Sequence, residues 1–313
     1  MKALVLCILF SIPFGFYAQE SPLKIKYNLS SQKGESGSHH HQVPKNKDDA
    51  AIIKTSEEAQ QNIINVKDTF NVLVWNVQKM TYLANNYKEV SHDQYYHLKR
   101  KFDNYLNVMQ LDFCLLQEVQ LNNNPFDNFL LNSKYSFVHS SNYYIPNDSA
   151  RLGTSILTKH KIDSVLIEQS NVRAFYNTGM SKSATYAWMP LSNKKTLLIV
   201  SIHAINIVNT KTFEKHINQI YQTIKTHDGP VLFAGDFNTW NKKRYKRLSE
   251  LFNPIGIKVT DKYRFVNGER LQWGKHPLDQ VLTRGIHILG DISVGKLDDP
   301  ADHAPLQFQF IVE

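Results

Sequence analysis

Cysteine is scarce in this sequence. Only Cys7 and Cys114 occur among its 313 residues, and Cys7 lies inside an N-terminal apolar run. If that run is removed during export, one cysteine remains, which excludes an intrachain disulfide and a cysteine-based zinc cluster. Cys114 lies in an apolar stretch, which is typical of a packed core residue.

The N-terminal apolar run is too short to span a bilayer comfortably. It covers residues 3–16, follows Lys2 and precedes Tyr17-Ala18-Gln19, which places a small residue where a signal peptidase would cut. We therefore predict a signal peptide over residues 1–18 and an exported protein, either periplasmic or secreted. An uncleaved membrane anchor is the alternative.

The overall composition is that of a globular protein, with 42% apolar and 20% charged residues and no repeat at a fixed period. Lysine and arginine number 36 against 28 acidic residues, which gives a net charge of +8. This excess favours a polyanionic or phosphate-bearing partner, although charge specifies neither a fold nor a reaction. A generally basic, solvated surface explains it equally well.

The chain changes character near residue 66. Residues 19–65 are polar, which predicts a largely disordered linker with a short helix near 56–66. Residues 66–313 contain many short apolar runs with helical periods between them. This pattern predicts an α/β sandwich of about 245 residues, in which two packed sheets have helices on their outer faces.

Two kinds of apolar spacing define the predicted elements. Short apolar runs predict strands at 70–75, 111–116, 135–139, 153–158, 184–189, 196–202, 231–234, 278–282 and 306–312. Apolar residues at steps of three and four predict helices at 95–109 and 213–224, and a third helix is predicted at 242–251.

The stretch Gly229–Asn241 is the most informative. Its apolar run, Val231–Ala234, reads as a buried strand and ends in Gly235-Asp236-Phe237-Asn238. Alternation along a strand predicts that Asp236 and Asn238 project to one side while Phe237 faces the core. An Asx-rich turn that closes the strand is the alternative.

Polar residues end other apolar runs in the same way. Asn76, Glu118 and His203 each follow such a run. Burying these groups is costly without partners, so we expect several strand ends to converge on one polar site. Taken singly, Asn76 fits a turn, Glu118 a helix cap and His203 a satisfied core histidine.

Six ordered motifs resemble those of the endonuclease/exonuclease/phosphatase superfamily, the deoxyribonuclease-I-like fold. They are Val74-Trp75-Asn76, Leu116-Gln117-Glu118, Ser201-Ile202-His203, Gly235-Asp236-Phe237-Asn238, Leu278-Asp279-Gln280-Val281 and Ala301-Asp302-His303-Ala304-Pro305. Over residues 66–313 the resemblance implies a four-layered α/β sandwich of two mostly antiparallel sheets flanked by helices. It also implies metal-dependent phosphoester hydrolysis, and it leaves the substrate open.

The resemblance further implies a metal site. Glu118 would be the principal ligand, with Asn76 and Asp302 completing the site. The ion would be Mg²⁺, with Mn²⁺ as an alternative, because both ions prefer oxygen ligands.

The remaining motif residues would carry out the chemistry in such an enzyme. Asp236 would orient the attacking water or take its proton, and Asn238 would bond a phosphate oxygen or the same water. His303 would lie against the scissile phosphate and bond Asp279 through its other ring nitrogen. His203 matches the histidine proposed to protonate the leaving oxygen, but the sequence does not decide which histidine is the acid.

A nucleic acid is the favoured substrate. Basic stretches occur at 99–101 and 242–247, and Trp240 could stack on a base beside the second stretch. A solvated helix face with a packed Trp240 is the alternative interpretation. A lipid headgroup or another small phosphoester is the second substrate hypothesis, and a phosphate-binding protein without catalysis is the third. We expect a monomer with no stable protein partner.

Overall fold

The computed structural model describes residues 23–29, 44, 46–77, 100, 102, 108–121, 134–145, 150–174, 181–265, 272–273, 276–295 and 301–313. The predicted signal peptide and most of the predicted helix at 95–109 lie outside these ranges. Within them, no helix is both long and apolar enough to cross a membrane.

Strands dominate the described part of the chain. In chain order they are β1 (Lys24–Asn28), β2 (Ala51–Lys54), β3 (Phe70–Asn76), β4 (Phe113–Leu121), β5 (Ser136–Ile145), β6 (Ala150–Thr158), β7 (Ser164–Gln169), β8 (Ser183–Pro190), β9 (Thr196–His203), β10 (Val231–Asp236), β11 (Lys258–Val259), β12 (Tyr263–Phe265), β13 (Gln272–Trp273), β14 (His276–Pro277), β15 (Asp279–Arg284), β16 (Ile286–Val294) and β17 (Leu306–Val312). The α-helices are α1 (Lys47–Ala50), α2 (Glu57–Gln61), α3 (Thr210–Ile224) and α4 (Lys242–Phe252). A single 3₁₀ turn, Asn253–Ile255, follows α4.

Apart from β13 and β14, which pair with each other, the described strands form two large mixed sheets, as predicted. The seven-stranded sheet has the order β1-β7-β8-β9-β10-β15-β11, and the eight-stranded sheet has the order β12-β16-β17-β3-β4-β6-β5-β2. Most neighbours are antiparallel. The parallel pairs are β1–β7 and β9–β10 in the first sheet and β3–β4 and β12–β16 in the second.

Apolar side chains fill the space between the two sheets and cover the outer face of each sheet. One cluster draws its residues from both sheets and fills the space between them. A second packs α3 and α4 onto the outer face of the seven-stranded sheet, and it includes Phe233 and Phe237. A third covers the outer face of the eight-stranded sheet and includes Trp75 and Phe102. Trp75, Phe233 and Phe237 are therefore core residues, as predicted for Phe237.

The segment predicted as a largely disordered linker contributes to both sheets where it is described. β1 pairs with β7, β2 pairs with β5, and Ala50 and Ile64 are fully buried between the sheets. The short predicted helix is α2, whose first turn is capped by the Ser56 hydroxyl. The prediction of disorder is wrong for these ranges because a few apolar residues among polar ones suffice for an edge strand whose partner supplies the hydrogen bonds.

Several strands had no signal strong enough to predict them. β16 is the longest of these, and six of its nine residues are exposed or partly exposed. Gly290, at φ 74°, interrupts it where its register with β17 shifts. A largely exposed strand interrupted by a bulge carries neither a continuous apolar run nor a clean alternation.

Candidate active site

Strand direction brings three of the predicted residues side by side in the seven-stranded sheet. β9 and β10 are parallel, so both end at the same edge, and β15 runs antiparallel and begins there. In register, Asp236 is the partner of His203 on one side and of Asp279 on the other. These three buried side chains, each at most 3% exposed, form one polar row across neighbouring strands.

Strand direction in the eight-stranded sheet places Asn76 and His303 next to this polar row. Asn76 ends β3, and the segment with His303 leads into β17, which runs antiparallel to β3. The Asn76 Nδ2 atom donates a hydrogen bond to Asp236 Oδ2 over 3.2 Å and lies 3.4 Å from His303 Nε2. The Trp75 indole N–H donates to the His303 carbonyl oxygen over 2.8 Å, which anchors this loop to β3. The two sheets therefore meet at this polar edge.

Glu118 reaches the site through a bulge. It lies within β4 rather than at its end, because pairing with β6 shifts register between Leu116 and Val119 and then continues. Its backbone has φ 53°, an uncommon value for a residue other than glycine. Such a bulge turns a side chain out of the regular alternation. Glu118 Oε1 lies 3.8 Å from His203 Nε2, and the side chain is 22% exposed.

Short contacts connect the predicted residues into one cluster. His203 Nε2 lies 3.5 Å from Asp236 Oδ2, and His303 Nε2 lies 3.9 Å from the same oxygen. His303 Nε2 is also 3.9 Å from Asp302 Oδ1. Asn76 and Asn238 each contact Asp236, Glu118 approaches His203, and Asp279 bonds His303. The structure thus brings together all eight residues predicted from the sequence.

His303 and Asp279 form a buried hydrogen-bonded pair. His303 Nδ1 lies 2.8 Å from Asp279 Oδ2, the contact that the resemblance implied. Burial by itself would lower the pKa of His303, but the carboxylates of Asp279, Asp236 and Asp302 together outweigh burial, and the pKa rises to about 10. The ring is therefore an imidazolium at neutral pH, with Asp279 fixing its orientation.

Asp236 has an unusual pKa for a carboxyl group. Burial raises it to about 6 and the charge of Asp279 adds to this increase, while the positive charge of His303 opposes it. A carboxylate whose pKa lies near neutrality suits a proton acceptor at physiological pH.

Asn238 adopts a turn conformation beside Asp236. Its φ is 51°, its N–H donates to Asp236 Oδ1 over 2.8 Å, and its Nδ2 donates to the Ala204 carbonyl oxygen over 2.9 Å. β10 ends at Asp236, so strand alternation does not extend to Asn238, contrary to the sequence-based expectation. The Asx turn and the polar site were alternatives in the sequence, and the structure contains both.

Comparison with known proteins identifies the family. Residues 69–303 match the Endonuclease/Exonuclease/phosphatase family. The chain belongs to this family. It is 27% identical over 270 residues to a "UPF0294 protein" of Vibrio campbellii, across 82% of this chain and 83% of that protein. It is also 34% identical over 134 residues to a "UPF0294 protein" of Erwinia tasmaniensis, across 42% of this chain and 48% of that protein.

Several solved structures have a fold similar to that of this chain. The endonuclease/exonuclease/phosphatase protein from Bacteroides vulgatus has a TM-score of 0.61 at 15% identity, with 79% of this chain and all of that chain covered. The human Nocturnin catalytic domain with bound sulfate has a TM-score of 0.56 at 15% identity, with 78% and 94% covered. Danio rerio TDP2 in complex with a single-strand DNA product has a TM-score of 0.53 at 17% identity, with 78% and 99% covered.

Two parts of this endonuclease/exonuclease/phosphatase site could hold a metal ion. Ligand atoms of Asp236, Asp279 and His303 all lie within 4.8 Å of one another. The His303 nitrogen that faces Asp279 is already hydrogen-bonded, however, and hard divalent ions prefer oxygen. Glu118 and Asp302, with the side-chain oxygen of Asn76, offer an all-oxygen set.

The electrostatics of the oxygen set fit a divalent cation. Burial raises the pKa of Asp302, His303 opposes this increase, and the charge of nearby Glu118 adds to it. Two carboxylates that repel each other in this way would both be stabilised by a cation bound between them. Their side chains are 22% and 35% exposed, which leaves access for coordinated water. The residues present therefore fit a hard divalent cation.

Lys182 belongs to the site but carried no sequence signal. It immediately precedes β8, and its Nζ atom lies 3.0 Å from His203 Nε2 and 3.3 Å from His203 Nδ1. Its backbone is pinned by Ser170, which donates its N–H to the Lys182 carbonyl and accepts the Lys182 N–H through its hydroxyl. A lone lysine outside the six motifs cannot be assigned to a site until the sheet is assembled.

The basic stretch at 242–247 does not form one cationic face. Arg244 is fully buried, whereas Lys242, Lys243 and Lys246 are exposed. The Arg244 guanidinium packs 4.6 Å from the Trp240 ring, so Trp240 lies over an internal cation. Of the other basic stretch, 99–101, only residue 100 is described, and it is exposed.

Proposed function

We propose that the protein is a divalent-metal-dependent phosphoester hydrolase that acts by in-line attack of water on phosphorus. The geometry of Asp236 carries the proposal. This buried carboxylate is the strand partner of His203, accepts a hydrogen bond from Asn76, and lies 3.9 Å from the His303 imidazolium. Asp302, one of the carboxylates suited to a cation, contacts the same imidazolium.

Glu118 and Asp302, with Asn76, would hold the cation. When bound, Mg²⁺ would offset the negative charge of the phosphate oxygens and so lower their repulsion of the nucleophile. A cation bound there would also offset the repulsion between the Glu118 and Asp302 carboxylates.

Asp236 would orient the attacking water and accept its proton. A pKa near 6 makes it ionised, yet still basic, at neutral pH. Asn238 is fixed to Asp236 through its backbone N–H, so its side-chain oxygen would be placed next to the same water. We infer that the two residues act together on the nucleophile.

His303, His203 and Lys182 would stabilise the charge that develops on the phosphate and the leaving oxygen. His303 is held as an imidazolium by Asp279. Lys182 places an ammonium group beside His203. Preorganised positive groups of this kind stabilise a transition state without reorientation during the reaction.

A nucleic acid is our first substrate proposal. The net charge of +8 supports it, and so do the exposed Lys242, Lys243 and Lys246 on α4, a helix that begins four residues after Asn238. These lysines could follow a phosphate backbone beyond the reacting ester, and this would make cleavage strongly dependent on salt.

A phospholipid headgroup is the second proposal. Ile207, in the loop after His203, is 47% exposed although it is apolar. An apolar side chain at the rim of a phosphoester site could contact an acyl chain or a membrane surface. The predicted signal peptide supports an exported location, which suits either substrate.

A metal-dependent substrate screen tests these proposals. The mature protein, with residues 1–18 removed, is incubated with plasmid DNA, RNA, phosphatidylcholine vesicles and bis(4-nitrophenyl) phosphate in Mg²⁺ or Mn²⁺. We expect hydrolysis that stops with chelator and is abolished by Glu118→Ala. Nucleic-acid cleavage exceeding headgroup release supports the first substrate, and the reverse supports the second. Absence of turnover on all four substrates, or activity that persists in Glu118→Ala, would contradict the proposed function.

A further inference from the structure

Arg244 is a buried cation that lies outside the described active-site cluster. It lies in the first turn of α4, where its N–H donates to the side chain of the capping residue Asn241 over 3.0 Å. Its side chain is fully buried. A buried guanidinium is costly unless its N–H groups find acceptors.

The acceptors are backbone carbonyls of two different loops. Nη1 donates to the Asn238 carbonyl over 2.9 Å and to the Ile205 carbonyl over 3.4 Å, and Nη2 donates to the Val208 carbonyl over 2.6 Å. One loop follows His203 at the end of β9, and the other follows Asp236 at the end of β10. A single side chain therefore ties together the two loops that leave the active-site edge.

Aromatic rings hold the guanidinium in place. Phe213 on α3 and Trp240 each have their ring centroid 4.6 Å from the guanidinium carbon. None of the ion pairs found among the described residues includes Arg244. Its surroundings thus favour a planar, forked donor, which lysine cannot replace.

Both loops contain backbone in the left-handed region. Ile207 has φ 48°, and Asn238 has φ 51°. A β-branched residue is rarely found there, and such a conformation persists only where the surroundings impose it. The Arg244 bonds to the carbonyls of Ile205 and Val208 bracket Ile207, so they restrain this conformation directly.

We propose that Arg244 is a positioning residue that fixes the conformation of two loops. One loop follows Asp236 and contains Asn238, and the other follows His203 at the end of β9. Arg244 does not contact the substrate. The inference rests on the proposed function, because these loops place the residues assigned to the water and the phosphate. Loss of the fork displaces Asn238 relative to Asp236 and lowers turnover without removing a reacting group.

The test compares Arg244→Met and Arg244→Lys with Arg247→Met. Arg247 lies on the same helix but is partly exposed and pairs with Glu214 and Glu250, so it controls for loss of a cation from α4. Hydrolysis of bis(4-nitrophenyl) phosphate gives kcat and KM, thermal melts give stability, and hydrogen exchange is followed over residues 204–209 and 237–241. Arg244→Lys also retains the charge and stem if Arg244→Met fails to fold.

We expect both Arg244 variants to lose about 100-fold in kcat, with a much smaller change in KM. Hydrogen exchange should accelerate in both loops and stay unchanged in β9 and β10, and Arg247→Met should match the wild type. A fully active Arg244→Lys, or a kcat loss no larger than the loss of folded protein, would overturn the inference. If the wild type turns over none of the substrates, the proposed function fails, while hydrogen exchange in the two loops still tests the positioning role of Arg244.

Discussion

The hydrogen bond between Asp279 and His303 holds the buried imidazole in its charged form. Asp279 is buried and lies outside the oxygen set of Glu118, Asp302 and Asn76, so we infer that its role is to orient and charge His303. We expect Asp279→Asn to lower kcat by about 10²–10⁴-fold while changing the melting temperature little. Steady-state kinetics and thermal melts of the same preparation check this. A large loss of stability with proportional loss of activity would assign Asp279 a structural role instead.

Lys182 provides the second single-residue test. Its Nζ atom lies 3.0 Å from His203 Nε2, so removal of the charge should weaken binding of the developing phosphate charge. We expect Lys182→Met to reduce kcat/KM about 10–100-fold, as for loss of one hydrogen bond to a charged group, and Lys182→Arg to retain part of it. Lys243→Met, which removes an exposed lysine from α4, is the matched control for hydrolysis of a small phosphodiester. Equal activity of the Lys182→Met variant and the wild-type enzyme would exclude a role for this cation.

Two buried histidines make stability depend on pH. Burial lowers the pKa of His139 and of His216 to about 3, with the charges of Arg151 and Lys182 adding to the effect. In the unfolded chain their pKa is about 6.5, so below that pH the unfolded state binds protons that the folded state does not. The free energy of unfolding should therefore fall as pH drops from about 6.5 towards 3, by up to about 1.4 kcal/mol per pH unit for each histidine.

Urea denaturation between pH 7 and pH 4.5 measures this dependence. His139→Leu removes one of the two groups, and it also removes a buried Nε2 atom that has no hydrogen-bond partner among the described residues. We expect the slope of stability against pH to become smaller by about 1.4 kcal/mol per pH unit over this range. An unchanged slope would mean that His139 is protonated in the folded protein.

At the scale of elements, Gly153 on β6 pairs with β4 and β5 next to a bulge in each of these strands. On β6 it is the partner of Val119, just after the bulge that carries Glu118, and of Ser141, just before the shift in β5. A Cβ atom at this position would lie 1.8 Å from the Ser140 carbonyl oxygen. Only glycine allows the three strands to approach so closely.

We expect Gly153→Ala to destabilise the protein by about 1–3 kcal/mol and to weaken metal binding, because the strand that carries Glu118 must shift. Urea denaturation and Mg²⁺ titration by calorimetry measure the two effects. Gly290→Ala is the control: its φ is 74°, but its Cβ would meet nothing within 4 Å, so it should cost only about 1 kcal/mol and leave metal affinity unchanged. Identical stabilities of the two variants would contradict the close-approach argument.

At the scale of the whole molecule, the fold begins well before residue 66. β1 and β2 extend the two sheets, and Ile64 is fully buried between them. We expect a chain that begins at residue 66 to lose at least about 3 kcal/mol of stability, equivalent to roughly 6–12 °C in melting temperature. A chain that begins at residue 20 should melt like the 313-residue chain. If both shortened chains melt together, the N-terminal strands contribute nothing to the stability of the sandwich.

Strand and helix positions were predictable wherever a local pattern of apolar residues reflects the burial of the element. The runs at β3, β9 and β10 are apolar because both faces of these strands are covered. β17 alternates because only one of its faces is buried, and α3 shows the 3.6-residue period of a helix packed on one side. The edge strands β1 and β2 were missed because hydrogen bonds from distant partners complete them. Those partners cannot be identified from a local window of sequence.

The sequence by itself determined the apolar strands and the polar residue that terminates or interrupts each of them, because both properties belong to short segments. Resemblance of the six motifs then indicated the family, and with it the eight residues of the site. Only the tertiary structure decided what surrounds them. The bulge at Glu118, the ammonium of Lys182 beside His203 and the burial of Arg244 all depend on strand register and on contacts between residues far apart in the chain, and no local pattern encodes these.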